Sequence, residues 1–255
     1  MSELTQGERI KFLREKRGVS QLDLEISIGA SSGMVSRIEN SKTNPQKETL
    51  LKISEVLVLS PIEIQYLFGI GNTQPTEKDI NNARGVFSSI LDSNKYVYLL
   101  NNRSEIIHFS KGFERMIRKA NLIPENLVNK SVAEILFNPD LGVRQIIPKD
   151  RFEETAKTVV AVISNERAHL LEEPWWKEFI EKMHTYPDFT ELWEYTLDND
   201  IDLYSEESRR ISFGLIGLNL SFIYTIHFLY TDPRFSLVEY SPENEQLKSL
   251  LDLLT

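Results

Sequence analysis

At 255 residues the chain is long enough for one large domain or two of ordinary size. It has no cysteine, which excludes disulfides and thiolate metal sites, and no run of 18 apolar residues that could span a bilayer. The net charge of −9 speaks against a nucleic-acid partner until it is divided along the chain: residues 1–70 carry nine Lys/Arg and nine Asp/Glu, so the whole deficit lies behind residue 70. A neutral head can still hold a phosphate backbone when its cations gather on one face. Nothing at the start resembles a signal peptide, and together with the missing cysteines this fits a cytoplasmic protein without membrane insertion.

The first predicted helix covers Gly7 to Arg17, with Ile10 and Leu13 inward and Arg9, Lys16 and Arg17 available to solvent or phosphate. Ser20 caps a second helix with Asp23 at its third position, ending near Gly29, where a left-handed residue reverses the chain. Ser31 or Ser32 is placed to cap a third, short helix carrying Val35 and Ile38. Two short helices across a glycine turn match the helix-turn-helix, whose second helix enters a DNA major groove. Asn40 to Pro45 is a polar loop, and Glu48 to Val58 a fourth helix. Ser60-Pro61-Ile62-Glu63 opens a fifth, which buries Ile64 and Leu67 and stops at Gly69.

The segment from Gly7 to Pro61 resembles the phage-repressor-type (Xre, Cro/C1) helix-turn-helix family. The matches are Ile10, Leu13 and Arg14, then Val19-Ser20-Gln21, Leu24, Gly29, Ser36-Arg37-Ile38-Glu39-Asn40, Lys42, Pro45 and Leu50 through Leu57. The resemblance implies that Gln21 touches the phosphate backbone and that Ser31, Ser32, Gly33, Ser36 and Arg37 belong to the DNA-contacting surface, the last four facing base edges. It places Lys42 and Asn44 near phosphates and pairs Arg14 with Glu39 inside the head. Three positions depart from the pattern. Glu25 replaces a small alanine and Leu22 a polar residue, which suggests opened packing or a contact with another domain. Gly33 offers no long side chain, leaving discrimination to Ser32, Ser36 and Arg37.

Residues 71–83 are polar and rich in turn formers, a linker between domains at 1–70 and 84–255. Of 25 aromatic residues only Phe12, Tyr66 and Phe68 precede it, so the second domain holds the aromatic core. Arg84 to Leu91 is an entry helix. Lys95–Leu100 and Glu105–Phe109 are predicted strands, dense in aromatic and β-branched residues. A helix follows Ser110 with Phe113, Met116, Ile117 and Ala120 as its apolar stripe, and another spans Ser131 to Leu136. Phe152 to Lys182 is helical in two pieces separated at Glu173-Pro174, and Phe189 to Leu197 is helical again. Strands are expected at Arg209–Phe213, Leu215–Asn219, Phe222–Tyr230 and Phe235–Tyr240, Gly214 and Gly217 marking a bend. Ser241-Pro242 opens a last helix.

Strands, a block of helices, then more strands is the order of an α+β PAS-like sensor fold, a curved antiparallel sheet around helices with a cavity between. The stretches YVYLLNNRSEIIHFSKGFERMI, ILFNPDLGVRQIIPKDRFEETAKTVVAVI, PDFTELWEYTLDND and FLYTDPRFSLVEYSPENEQLKSLLDLL resemble the ligand-binding domain of MmyB-like transcription regulators. That resemblance implies a pocket for an apolar or fatty-acid-like ligand. The candidate lining is Phe109, Phe113, Trp175, Trp176, Phe179, Trp193, Phe213, Tyr224 and Phe228, with His108, His227 or Arg144 to orient a head group. For each aromatic the competing role is ordinary core packing, and His227, in an apolar strand, fits a satisfied core histidine.

The histidines have no metal-ligand spacing, and no nucleophile, phosphate-loop or paired-carboxylate signature occurs, so no enzyme, metal or resident cofactor is expected. The sequence reads as a DNA-binding transcription regulator: an all-α head of five helices that binds a palindromic operator as a homodimer, and a sensor domain for a small apolar ligand. The alternative is a DNA-binding or scaffold protein whose second domain only dimerises or docks protein.

Overall fold

The computed structural model describes residues 3–69, 73–166, 168–199, 201, 203, 205, 209–215, 218–229 and 231–254. The chain begins with α1 (Gln6–Lys16), α2 (Gln21–Ile28), α3 (Met34–Glu39), α4 (Lys47–Val56) and α5 (Pro61–Phe68). Next come α6 (Glu77–Val86), α7 (Ser88–Leu91), β1 (Tyr96–Asn101), β2 (Ile106–Phe109), α8 (Lys111–Lys119), α9 (Pro124–Leu127) and α10 (Val132–Phe137). Then α11 (Lys149–Glu166), α12 (Pro174–Met183) and α13 (Pro187–Asp198) lead to β3 (Arg210–Leu215), β4 (Leu218–Phe228), β5 (Phe235–Pro242) and α14 (Glu245–Leu254). Two units divide the chain: Met1–Thr73 with Arg167–Ile180, and Gln74–Glu166 with Glu181–Thr255.

Local chemistry fixes the helices of the first unit. Thr5 and Glu8 form a reciprocal capping box at α1, and Ser20 caps α2, which Gly29 ends at φ +68°. Ser60 and Glu63 box α5 behind Pro61. Burial works against the charge on Glu63, but the Ser60 N–H, Arg17 and Lys16 outweigh it and hold the carboxyl at about 2. Arg17 and Lys16 are thereby engaged, at 2.8 and 3.3 Å, rather than left to solvent or phosphate as expected. Tyr66 and Leu67 bury α5, with Ile64 only half covered. Gly7 lets α1 cross α3 at backbone distance: a Cβ there would stand 2.1 Å from the Ile38 carbonyl oxygen.

Residues 167–180 belong to this unit, although sequence boundaries assign them to the second domain. Glu173, with 1% of its side chain exposed, accepts hydrogen bonds from Arg9 Nε (3.3 Å), Tyr66 Oη (3.0 Å) and the Leu4 N–H (3.1 Å). Arg9 was expected at the surface and is instead buried in this ion pair. Burial, then the Glu173 charge, raises the Tyr66 phenol above its ordinary range, so it stays a neutral donor. Trp176 is buried beside Trp175 and Phe179, and His169 sets its ring edge-on to Tyr66 at 5.2 Å.

In the second unit the strands form one antiparallel sheet in the order β2-β1-β5-β4-β3. Tyr98 pairs with Val238, Tyr96 and Tyr224 with Tyr240, Ile211 with Phe222 and Phe213 with Leu220, which puts these residues on one face. The other face packs Val97, Leu99, Phe235 and Leu237 with Ala83 of α6 and Leu91 of α7. Helix α6 starts at a Thr76–Asp79 capping box, so most of the expected linker and the start of the expected entry helix are one helix. The strand expected at Leu215–Asn219 is the end of β3 and the start of β4, with Gly217 outside the described residues. Ser241-Pro242 ends β5 rather than opening a helix, and Asn244 Oδ1 accepts the Leu247 N–H at the start of α14 instead.

Candidate nucleic-acid interface and ligand cavity

Helix α3 turns Val35, Ile38 and Glu39 into the unit and leaves Arg37 exposed and Ser36 half-exposed. The expected cap by Ser31 or Ser32 does not form. Gly33 occupies the cap position at φ +74°, and the buried Glu25 of α2 supplies the acceptors: Oε2 takes the Gly33 N–H (3.1 Å) and Oε1 the Val35 N–H (2.9 Å). A carboxylate at a helix N-terminus satisfies orphan donors and meets the positive end of the dipole. This explains why a glutamate replaces the smaller residue of the family pattern. The contact lies inside the unit. Glu25→Ala is expected to lower stability by about 1–3 kcal/mol, read by urea unfolding. Glu25→Gln, which keeps one acceptor, should cost less, and equal losses would refute the cap.

Beneath α3, Arg14 grips Glu39 with two hydrogen bonds, Nε to Oε1 at 2.6 Å and Nη2 to Oε2 at 3.0 Å, and gives Nη1 to the Val19 carbonyl at 2.8 Å. The bond to Glu39, opposed by burial, raises the Arg14 pKa further above its ordinary value. Gln21 donates its amide to Glu39 Oε2 at 2.6 Å, which holds the half-exposed side chain at the start of α2. Ser31, Ser32, Lys42 and Asn44 are exposed, and Gly33 is partly so. Lys11, Arg37, Lys42 and Lys47 have no ionic partner among the described residues, whereas Arg9, Arg14, Lys16, Arg17 and Lys52 are all paired. Three buried acids, Glu25, Glu39 and Glu63, are consumed internally. The neutral sum of the head therefore hides free positive charge, most of it between Arg37 of α3 and Lys47 at the start of α4.

Residues 10–64 match the helix-turn-helix family model. The chain is 30% identical over 124 residues to the HTH-type transcriptional regulator DicA of Escherichia coli (strain K12), covering 45% of this chain and 90% of that protein. The chain belongs to the HTH-type transcriptional regulators. It is also 39% identical over 56 residues to an uncharacterized HTH-type transcriptional regulator of Haemophilus influenzae, covering 20% of this chain and 57% of that one.

The second unit of this HTH-type regulator contains a cavity of about 100 Å³. Its floor is the sheet face of Tyr98, Phe109, Phe213, Leu220 and Tyr240. Its roof comes from Phe113, Met116 and Ile117 of α8, Ile135 and Leu136 of α10, and Thr155 and Val159 of α11. Among the described residues no charged side chain lines it. The Tyr98 and Tyr240 hydroxyls bond each other at 3.3 Å, and burial raises both phenols well above the ordinary tyrosine range, so both remain neutral.

Of the nine aromatics expected at a pocket, Phe109, Phe113 and Phe213 line this cavity. Trp175, Trp176 and Phe179 fall in the other unit. Trp193 stacks on Phe189 at 5.5 Å, Tyr224 packs beside Tyr240 without reaching the cavity, and Phe228 is 74% exposed. None of the proposed head-group residues lines it either. His108 sits in β2 with its pKa lowered by burial and then by Arg84. His227 is exposed beside Glu239 rather than a core histidine, and Arg144 pairs with Asp188. Sequence reasoning favoured aromatics and so missed the aliphatic majority of the lining. The signal was present at α8, where Met116, Ile117 and the C-cap Ala120 form one stripe.

Proposed function

We propose that this regulator reads a palindromic operator as a homodimer, each head placing α3 in the major groove of one half-site, and that its second unit is a PAS-like sensor of the MmyB-like kind. The observation that carries the reading is α3 itself: its buried side is locked by Glu25 and the Arg14–Glu39 pair, while Arg37 stands exposed with no partner among the described residues. Ser32, Gly33, Ser36 and Arg37 then face base edges with Ser31 beside them, and Gln21, Lys42 and Asn44 hold phosphates. A guanidinium bonds guanine O6 and N7 together, which makes Arg37 the strongest discriminator.

A five-stranded antiparallel sheet with helices over an apolar cavity supports the sensor assignment, and a ligand there alters operator affinity by favouring one arrangement of the dimer. The test is selection from randomised duplexes with the full-length protein. The selected sites should be two-fold symmetric, with half-site centres about one helical turn apart or a multiple of it. Arg37→Ala should cost about 1–3 kcal/mol on the best site and relax one base position per half-site. Lys42→Ala should weaken all sequences alike. Uniform weakening by Arg37→Ala would reduce it to a phosphate contact.

A further inference from the structure

We propose that the cavity of the second unit takes a small uncharged aromatic or hydrocarbon molecule and rejects carboxylates, long-chain fatty acids included. The inference rests on the ligand-sensing role proposed above and names the class of ligand. Size is the first argument. A volume of about 100 Å³ is below the roughly 300–1,000 Å³ of sites for drug-sized ligands. It is close to that of an engineered apolar cavity of about 150 Å³ that stays dry and binds benzene.

Charge is the second argument. Among the 22 described lining residues the only side chains with oxygen are Tyr98, Tyr240 and Thr155, and the two phenols are bonded to each other. An ionised carboxylate brought there would lose its hydration and meet no cation, a penalty far larger than the gain from burying a short chain. An adjoining alternative is a small niche that shares Thr155 with the cavity and is lined by Arg151 and Arg210 among others. Its volume is about 10 Å³, enough for one water. Arg151 is already paired with Glu154 and Arg210 with Glu243, both at 2.9 Å, so it offers an anionic head group neither room nor uncompensated charge.

The walls favour a flat ring. Phe109 stacks on Phe113 at 5.5 Å and 27°, Phe213 on Tyr240 at 5.8 Å and 28°, and Tyr98 stands edge-on to Phe113 at 5.5 Å. Together they present both faces and edges to an aromatic guest.

Thermal unfolding of the full-length protein with toluene, benzoate and myristate at pH 7 tests this, because toluene and benzoate differ mainly by the charge. Toluene at ten times its Kd should raise Tm by roughly 3–6 °C, with no rise from benzoate or myristate. Val159→Phe fills the cavity and should abolish the toluene shift. Val159→Leu, a smaller intrusion, should reduce it and guards against a variant that fails to fold. Stabilisation by benzoate or myristate that Val159→Phe removes would overturn the uncharged class and leave the sensor role standing. No shift with any of the three, and none on titrating toluene by ligand-observed NMR, would overturn both.

Discussion

Replacing Glu173 with alanine is expected to destabilise the first unit by about 3–5 kcal/mol, the cost of removing one partner from a buried ion pair. The substitution strands Arg9, whose side chain is 8% exposed, and deprives the Tyr66 hydroxyl and the Leu4 N–H of their acceptor at once. Tyr66→Phe removes one donor and leaves the ion pair, so it should cost only about 0.5–1.5 kcal/mol. Urea denaturation of the full-length chain, followed by tryptophan fluorescence because Trp175 and Trp176 lie beside Glu173, provides the measurement. A fragment ending at residue 73 contains all five head helices but not Glu173, and should melt well below the same helices in the whole chain. If Glu173→Ala unfolds within 1 kcal/mol of the parent, the glutamate is not the keystone its contacts indicate.

The second large effect is expected at Glu39. Its side chain is 2% exposed and accepts two hydrogen bonds from Arg14 and one from Gln21. Glu39→Leu leaves a buried guanidinium without its anion and should cost about 3–5 kcal/mol, with Arg14→Leu close behind. The double substitution removes both charges and should be less destabilising than the two singles added together, by 1 kcal/mol or more. Strict additivity would mean that the pair contributes nothing as a pair. Operator affinity should also fall in Glu39→Leu beyond what stability explains, because Gln21 then loses the bond that fixes its amide.

How far the sequence could be read depended on the distance over which each interaction acts. The caps at Ser20 and Ser60, the proline that opens α5 and the glycines that end α2 and α5 are all settled within four residues, and each stands where the sequence puts it. Strands β1 and β2 were legible for the same reason, from short runs of aromatic and β-branched residues. The Arg14–Glu39 pair came from a family pattern rather than from spacing. By contrast, Glu25 reaches across a turn to cap α3, and a carboxylate in an amphipathic helix gives no sign of where it will point. The aromatics of α12 and α13 looked like pocket residues because size marks burial, and burial does not say in which core.

The sequence alone determined the class of this regulator's head and the place of most of its helices and strands, since periodicity, capping and turn chemistry are properties of neighbours along the chain. Only the tertiary structure decided that Glu173 and Trp176 join the first unit, that an α2 glutamate caps α3, and that mostly aliphatic side chains, with three phenylalanines and two tyrosines, line an apolar cavity. Each of these joins groups from separate stretches of chain. Their energies come from burial and strand pairing, and no residue carries a local mark of the partner it will meet.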